Sequence, residues 1–245
     1  MRNASETKVE ARKALGDNGQ YLRYLTAYLL VVVTALILFI PVLSIIVIGI
    51  GVSGISPFLA PGGQPEIGLF ADPNVMLPLA VSFTLFSLLF MYPLGFVKWG
   101  ESAMSIATIR RGLTVGHAFS GWGHGWKMGW IEMVKITYLS LWYLLLVVPG
   151  MVKSLSYAMT EFIAVDHPEW DANQCISESR RLMDGHKIRY LCMLLSFTGW
   201  IILLIFVGYV PFVGGMCQWL FIPYIAAAKA AFYEELLDID AAQCQ

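Results

Sequence analysis

From Tyr24 to Pro65, and again from Val75 to Val97, the chain carries no Asp, Glu, Lys or Arg. A helix rises about 1.5 Å per residue and needs roughly 20 apolar residues to cross the hydrocarbon of a bilayer. Both runs reach that length, and more apolar runs follow. Apolar residues make up 58% of the 245 and charged residues 13%, about half the roughly 25% of an ordinary globular domain. A soluble fold would lack the polar side chains to cover itself. The expectation is an all-α, polytopic membrane protein forming a single membrane domain over 1–245.

Six spans in three hairpins account for the pattern. Residues 1–20 read as a cytoplasmic interfacial helix (ASETKVEARKAL, then a stop near Gly16 to Gly19). Hairpin 1 covers 21–97, with Pro41 as a kink and a Pro- and Gly-rich external loop at 52–74 that has no Lys or Arg. The segment 98–127 is cytoplasmic, and Trp99, Ala103, Ile106 and Ile109 extend the preceding helix into it at helical spacing. Hairpin 2 covers 128–165, turning at Pro149-Gly150. A cytoplasmic amphipathic helix occupies 166–187, hairpin 3 covers 188–233 with its turn near Gly208 to Gly214, and 234–245 is an acidic, solvated cytoplasmic tail.

Cations set the orientation. Arg2, Lys8, Arg12, Lys13 and Arg23 precede the first span; Lys98, Arg110, Arg111 and Lys127 lie between the second and third. Arg180, Arg181, Lys187 and Arg189 lie between the fourth and fifth, whereas the opposite face carries Lys153. Both termini are therefore expected in the cytoplasm. The first apolar run is too long for the core of a signal peptide, and no small-x-small cleavage site closes it. The cysteines have no metal spacing and read as reduced and structural. No basic tract suggests nucleic acid.

An internal echo marks the entries to the spans. Asn18-Gly-Gln-Tyr-Leu-Arg-Tyr-Leu25 aligns without gaps to Asp184-Gly-His-Lys-Ile-Arg-Tyr-Leu191, each preceded by a dibasic pair, Arg12-Lys13 or Arg180-Arg181. A looser third copy runs from Arg110-Arg111-Gly112 to Lys127. The hairpin turns match too: Val148-Pro-Gly-Met151 with Leu155, and Val213-Gly-Gly-Met216 with Leu220. The common unit is an interfacial helix, a Gly step, a helix, a turn and a helix. A true repeat is favoured slightly over convergence, to which the same chemistry also leads because Gly ends a helix in the left-handed conformation without steric cost. Arg180, Arg181, Gly185, His186, Lys187 and Arg189 then form a membrane-entry motif, with Tyr24 and Tyr190 at headgroup level. His186 loses its appeal as a catalytic group because its counterpart is Gln20.

Two further sets of residues invite a functional reading. In SGWGHGWKMGW, Gly121, Gly125 and Gly129 recur every four residues beside Trp122, Trp126 and Trp130. Glycines at that spacing make a packing groove on a membrane helix, and the tryptophans suit an interfacial aromatic belt better than a ligand platform. Charged residues within spans are functional candidates by default. Glu132, Lys135 and Glu161 fall near one depth on adjacent helices, so an ion pair between Lys135 and Glu161 is expected, with Glu132 in the same network and Lys229 able to snorkel. Orientation and packing explain them more simply than an ion relay, since none lies at the midplane. The four histidines are scattered, no serine sits in a nucleophile elbow, and no phosphate loop follows a strand. No catalytic residue, cofactor or metal site is assigned, and the chain is expected not to be an enzyme.

Four blocks in the second half, PGMVKSLSYAMTEFIAVDHPE, SRRLMDGHK, LSFTGW and PYIAAAKAAFYEEL, resemble bacterial integral membrane proteins of domain-of-unknown-function family 975. The resemblance implies a six-helix, multi-pass protein of the bacterial cytoplasmic (inner) membrane, of uncharacterised activity. It also implies Pro or an uncharged residue where Glu161 stands, so a mechanism shared by the family would not depend on Glu161. The leading expectation is a scaffold, regulator or envelope-homeostasis component whose partners are the lipid bilayer and other membrane proteins or itself. A transporter or channel for a small solute or lipid is the alternative, supported by the echo and by Pro41, Pro93, Pro149 and Pro223.

Overall fold

The computed structural model describes residues 4–16, 19–53, 73–110, 112–200, 202–203 and 213–243, and no strand occurs among them. The protein is all-α. Its helices are α1 (Ala4–Gly16), α2 (Gln20–Ser53), α3 (Pro73–Ile109), α4 (Val115–Phe119), α5 (Gly125–Leu145), α6 (Val147–Ser156), α7 (Thr160–Asp166), α8 (Ala172–Leu182), α9 (Lys187–Leu195) and α10 (Val213–Gln243), with a 3₁₀ turn at Ser120–Gly123 before α5. Most of the loop expected at 52–74, most of the turn at 208–214, and Arg2, Arg111 and Cys244 lie outside the described residues.

α3 is the spine. Pro73 opens it at the first helical position, where a missing N–H costs nothing. Its second half, Gly95 to Thr108, is buried on almost every side, between α2, α5, α7 and α10. Buried hydroxyls there are satisfied by their own helix: Ser105 donates to the Ser102 carbonyl at 2.9 Å and Thr108 to the Met104 carbonyl at 2.7 Å. The facing part of α10 is a run of alanines, with Ala226, Ala227, Ala228, Ala230 and Ala231 all buried, so backbones approach closely. α1 and α8 are short amphipathic helices. α1 buries Thr7, Ala11, Ala14 and Leu15; α8 buries Ala172, Cys175, Ile176, Ser179 and Leu182, the spacing of one helical face. Gln174 accepts the Asp171 N–H at 2.8 Å to close the start of α8.

Gly19 and Gly185, the aligned glycines of the two entry motifs, both have positive φ, +71° and +75°. This is the left-handed region that only glycine occupies cheaply. Each lies between an amphipathic helix and the helix that follows it.

Several boundaries differ from expectation. The turn of hairpin 2 falls at Leu146, whose extended backbone separates α5 from α6. Pro149 and Gly150 instead lie in the first turn of α6, where proline removes only an N–H that would have no helical partner. Val213-Gly-Gly-Met216 likewise opens α10. The span expected at 151–165 is two helices, α6 and α7, because the backbone between them is held by a distant side chain. Ser179 Oγ donates to the Ser156 carbonyl at 2.8 Å and accepts the Met159 N–H at 3.2 Å. The first part of the segment expected to be a solvated tail is helix packed on its neighbours: α10 continues to Gln243, Glu235 and Leu236 are buried, and arginines pair with Glu234, Glu235 and Asp240. Tyr24 and Tyr190 are buried, not placed at a headgroup surface, because each packs into the helix core.

Among the described residues, Gln20–Ile37 is the one helical stretch long and apolar enough to cross a membrane by length and composition. α5 has the length, but Lys127, Glu132 and Lys135 break its apolar run, and α6, α7 and α9 are short.

Candidate functional site

Glycine contacts bring the charged residues together. α5 runs antiparallel to α3 with its glycines against the α3 backbone: Gly129 faces Met91, Gly125 faces Tyr92 and Gly121 faces Phe96. A methyl group on Gly95 would collide with the backbone of Gly125 and Gly129. Gly121 lies in the 3₁₀ turn, not in α5, yet meets the same α3 face. Trp122, Trp126 and Trp130 are about half exposed, at 55%, 49% and 54%. Tyr92 donates to the Trp122 carbonyl at 2.8 Å.

This close approach puts Lys98 and Glu101 of α3 beside Glu132 and Lys135 of α5. Lys135 Nζ lies 2.5 Å from Glu132 Oε1 and 2.8 Å from Glu161 Oε1. Lys98 Nζ is 3.8 Å from the other Glu161 oxygen and 3.9 Å from Glu101. Lys229 of α10 adds its charge to the field at Glu161. Lys98 and Lys135 thus share the glutamates Glu101, Glu132 and Glu161. Glu132 and Lys135 are mostly buried, and ions out of water persist only when paired in this way. Chemically the cluster ties α3, α5 and α7 together around Glu161.

A second set of charges fastens α10 to its neighbours. Arg110 makes a two-pronged contact with Asp166, at 3.0 and 2.9 Å, and reaches Glu234 at 2.8 Å. Tyr233 donates to Asp166 at 3.1 Å. Arg181 bridges Glu178 of its own helix and Asp240, both at 2.6 Å. Arg189 pairs with Glu235 and lies 5.5 Å from the Phe232 ring. The Asp166 hydrogen bond raises Arg110 above the ordinary guanidinium value. Burial pushes Glu234 upward, while the Arg181 hydrogen bonds hold Asp240 below the usual carboxylate range.

Within the entry motif, Arg180 is exposed, His186 is half-buried ahead of α9, and Lys187 lies 3.6 Å from Asp184. Among the described residues, no group of three His, Cys, Asp or Glu side chains is placed to hold a metal ion.

The model of a family described as protein of unknown function (DUF975) matches residues 1–240. The chain belongs to the DUF975 family. No curated protein and no solved structure matches it. In this DUF975 chain, sequence reasoning missed Arg110, Asp166, Glu234 and Asp240 as partners, and Ser179 as the residue holding the α6–α7 break. Glu234-Glu235 beside a set of dibasic pairs was the available signal. Their separation, 124 residues between Arg110 and Glu234, left no local pattern to read.

Proposed function

We propose that this chain is a polytopic protein of the bacterial cytoplasmic membrane, with six spans in three hairpins and both termini in the cytoplasm. In this reading it is a non-enzymatic scaffold, regulator or envelope-homeostasis component. The observation that carries the membrane part is the distribution of apolar side chains. Leu29, Leu30, Val33, Leu36 and Ile37 of α2, and Met133, Ile136, Leu141 and Leu144 of α5, face outward, Leu144 at 86% exposure. Apolar surface of that extent on a soluble monomer would drive association; in hydrocarbon it is the expected exterior. The charged residues at the same level are paired inside, as intramembrane ions are.

The scaffold reading draws on the arginine-tied surface of α8 and α10, a rigid polar face suited to partner proteins. Transport of a small solute or lipid is the second reading, favoured by the matched φ angles at Gly19 and Gly185, since many transporters are built from internal repeats. Reconstitution separates the two. Purified chain in liposomes is expected to leave solute leak and lipid flip-flop at the level of empty vesicles; flux above that level overturns the scaffold assignment. Cysteines introduced at Met151 and Ser177 of a cysteine-free chain are expected to react with an impermeant maleimide from opposite sides of the membrane. Reaction from one side, or a chain found in the aqueous fraction, sinks the topology.

A further inference from the structure

We infer that the cleft between α1 and α10 is a binding site for the headgroup of an anionic phospholipid. The inference rests on the membrane reading above. α1 lies against α10 and leaves a cleft of about 500 Å³ bordered by Arg12, Tyr21, Trp200, Leu220, Phe221 and Tyr224. Its lining is of two kinds. Arg12 is exposed and without an ion-pair partner among the described residues, and its charge acts on the Tyr224 hydroxyl that shares the cleft. Trp200 and Leu220 are apolar and about half exposed. The Tyr21 hydroxyl donates to the Leu220 carbonyl and joins the start of α2 to α10 across the cleft.

The wall is built of stacked rings. Phe197 meets Tyr224 at 5.4 Å and Phe221 at 6.0 Å between centroids, and Trp200 meets Phe221 at 5.8 Å. Lys8, one turn before Arg12 on α1, sits 4.0 Å from the Phe197 ring centre. Two cations therefore line one edge of an aromatic wall. A guanidinium without a carboxylate presents a planar pair of N–H donors that matches a phosphate, and the Tyr224 hydroxyl supplies another donor. The apolar lining suits acyl chains. The same arrangement disfavours a choline headgroup: its quaternary ammonium would seek an aromatic face, but Lys8 already occupies that of Phe197, and both cations repel it. A phosphodiester with net negative charge fits both kinds of lining.

Native mass spectrometry of the full chain in detergent tests the assignment, with phosphatidylglycerol and phosphatidylcholine of identical acyl chains. Phosphatidylglycerol is expected to bind about tenfold more tightly. Arg12→Gln is expected to abolish that preference, and Arg12→Lys to keep part of it, because the charge survives without the planar fork. Lys13→Gln changes the same net charge on the same helix off the cleft, and is expected to bind as the unaltered chain does. Equal binding of the two lipids, or an Arg12→Gln variant with undiminished preference and unaltered thermal unfolding, overturns the site. Displacement of the lipid by glycerol 3-phosphate at equal concentration also overturns it, because a soluble phosphate would then be the ligand. A chain that is membrane-embedded but shows no lipid preference defeats this inference alone; a chain soluble without detergent defeats the membrane reading first.

Discussion

At one end of the helix bundle, the second halves of α3 and α10 pack with α7 and α8 around Met159, Ile163, Met183, Phe232 and Tyr233, all nearly inaccessible, and arginines bridge the surface. At the other end, α2, the second half of α5 and the start of α6 turn Leu, Ile and Val outward, with Val147 and Val148 both more than 60% exposed. On the membrane reading proposed above, the same backbone geometry serves two solvents. Where water is the surroundings, apolar burial drives packing and surface ions add a little. Where hydrocarbon is the surroundings, burial gains nothing, so helices must be held by close backbone approach and by polar pairs. On that reading, the lysine–glutamate cluster and the Gly95–Gly125–Gly129 contact lie where the two regimes meet.

The sharpest way to break this boundary is to remove Lys135. Its loss leaves Glu132 and Glu161 facing each other without the cation that lies within 3 Å of both. Lys135→Met is expected to cost about 3–5 kcal/mol, as for other buried charges stripped of a partner, read as reduced unfolding temperature in detergent. Exchanging the charges of residues 135 and 161 is expected to restore only part of the loss, because Lys98, 3.8 Å from Glu161, would then face a lysine. A Lys135→Met variant as stable as the unaltered chain would show that the cluster does not fasten the helices.

Reading the sequence located most helices and both left-handed glycines, because the signals are local: apolar length, amphipathic spacing, a Gly after an amphipathic run. The depth argument that put Lys135 near Glu161 also relied on local counting from a turn. That turn was misplaced, at Pro149 and not at Leu146, but the error was small against the reach of a lysine side chain. What local pattern could not supply was tertiary. Ser179 holds a break between α6 and α7 some 20 residues away, and Arg110 chooses Asp166 and Glu234 over nearer acids. A pair of glutamates near a C-terminus looks like a solvated end until Arg110, just past α3, and Arg189 of α9 are known to face it.

The helix contact tests the same boundary at backbone level. A Cβ at Gly95 has no room against α5, whereas one at Gly123 meets nothing within 4 Å. Gly95→Ala is expected to destabilise by about 1–3 kcal/mol, the usual cost of overpacking, and Gly123→Ala to change stability by less than about 0.5 kcal/mol. Equal behaviour of the two alanine variants in thermal unfolding would mean that α3 and α5 are not in backbone contact.

The smallest effect belongs to the outermost pair and discriminates by its dependence on pH and salt. Arg181 is half exposed beside Asp240, and it holds that carboxyl below its ordinary value. A carboxylate with a depressed folded-state pKa contributes stability that is fully present above its unfolded value, roughly 3.9 for aspartate. The contribution disappears as pH falls through the lower folded value. Asp240→Asn is therefore expected to lower stability by less than about 1 kcal/mol at neutral pH, as exposed pairs do, and to match the unaltered chain at acid pH. Raising salt from 0.01 to 1 M, where the screening length falls from about 30 to about 3 Å, should erase most of the neutral-pH difference. The penalty of Lys135→Met, within a cluster largely shielded from ions, should persist under the same change. If both penalties vanish with salt, the lysine–glutamate cluster is solvated and the contrast between the two ends fails.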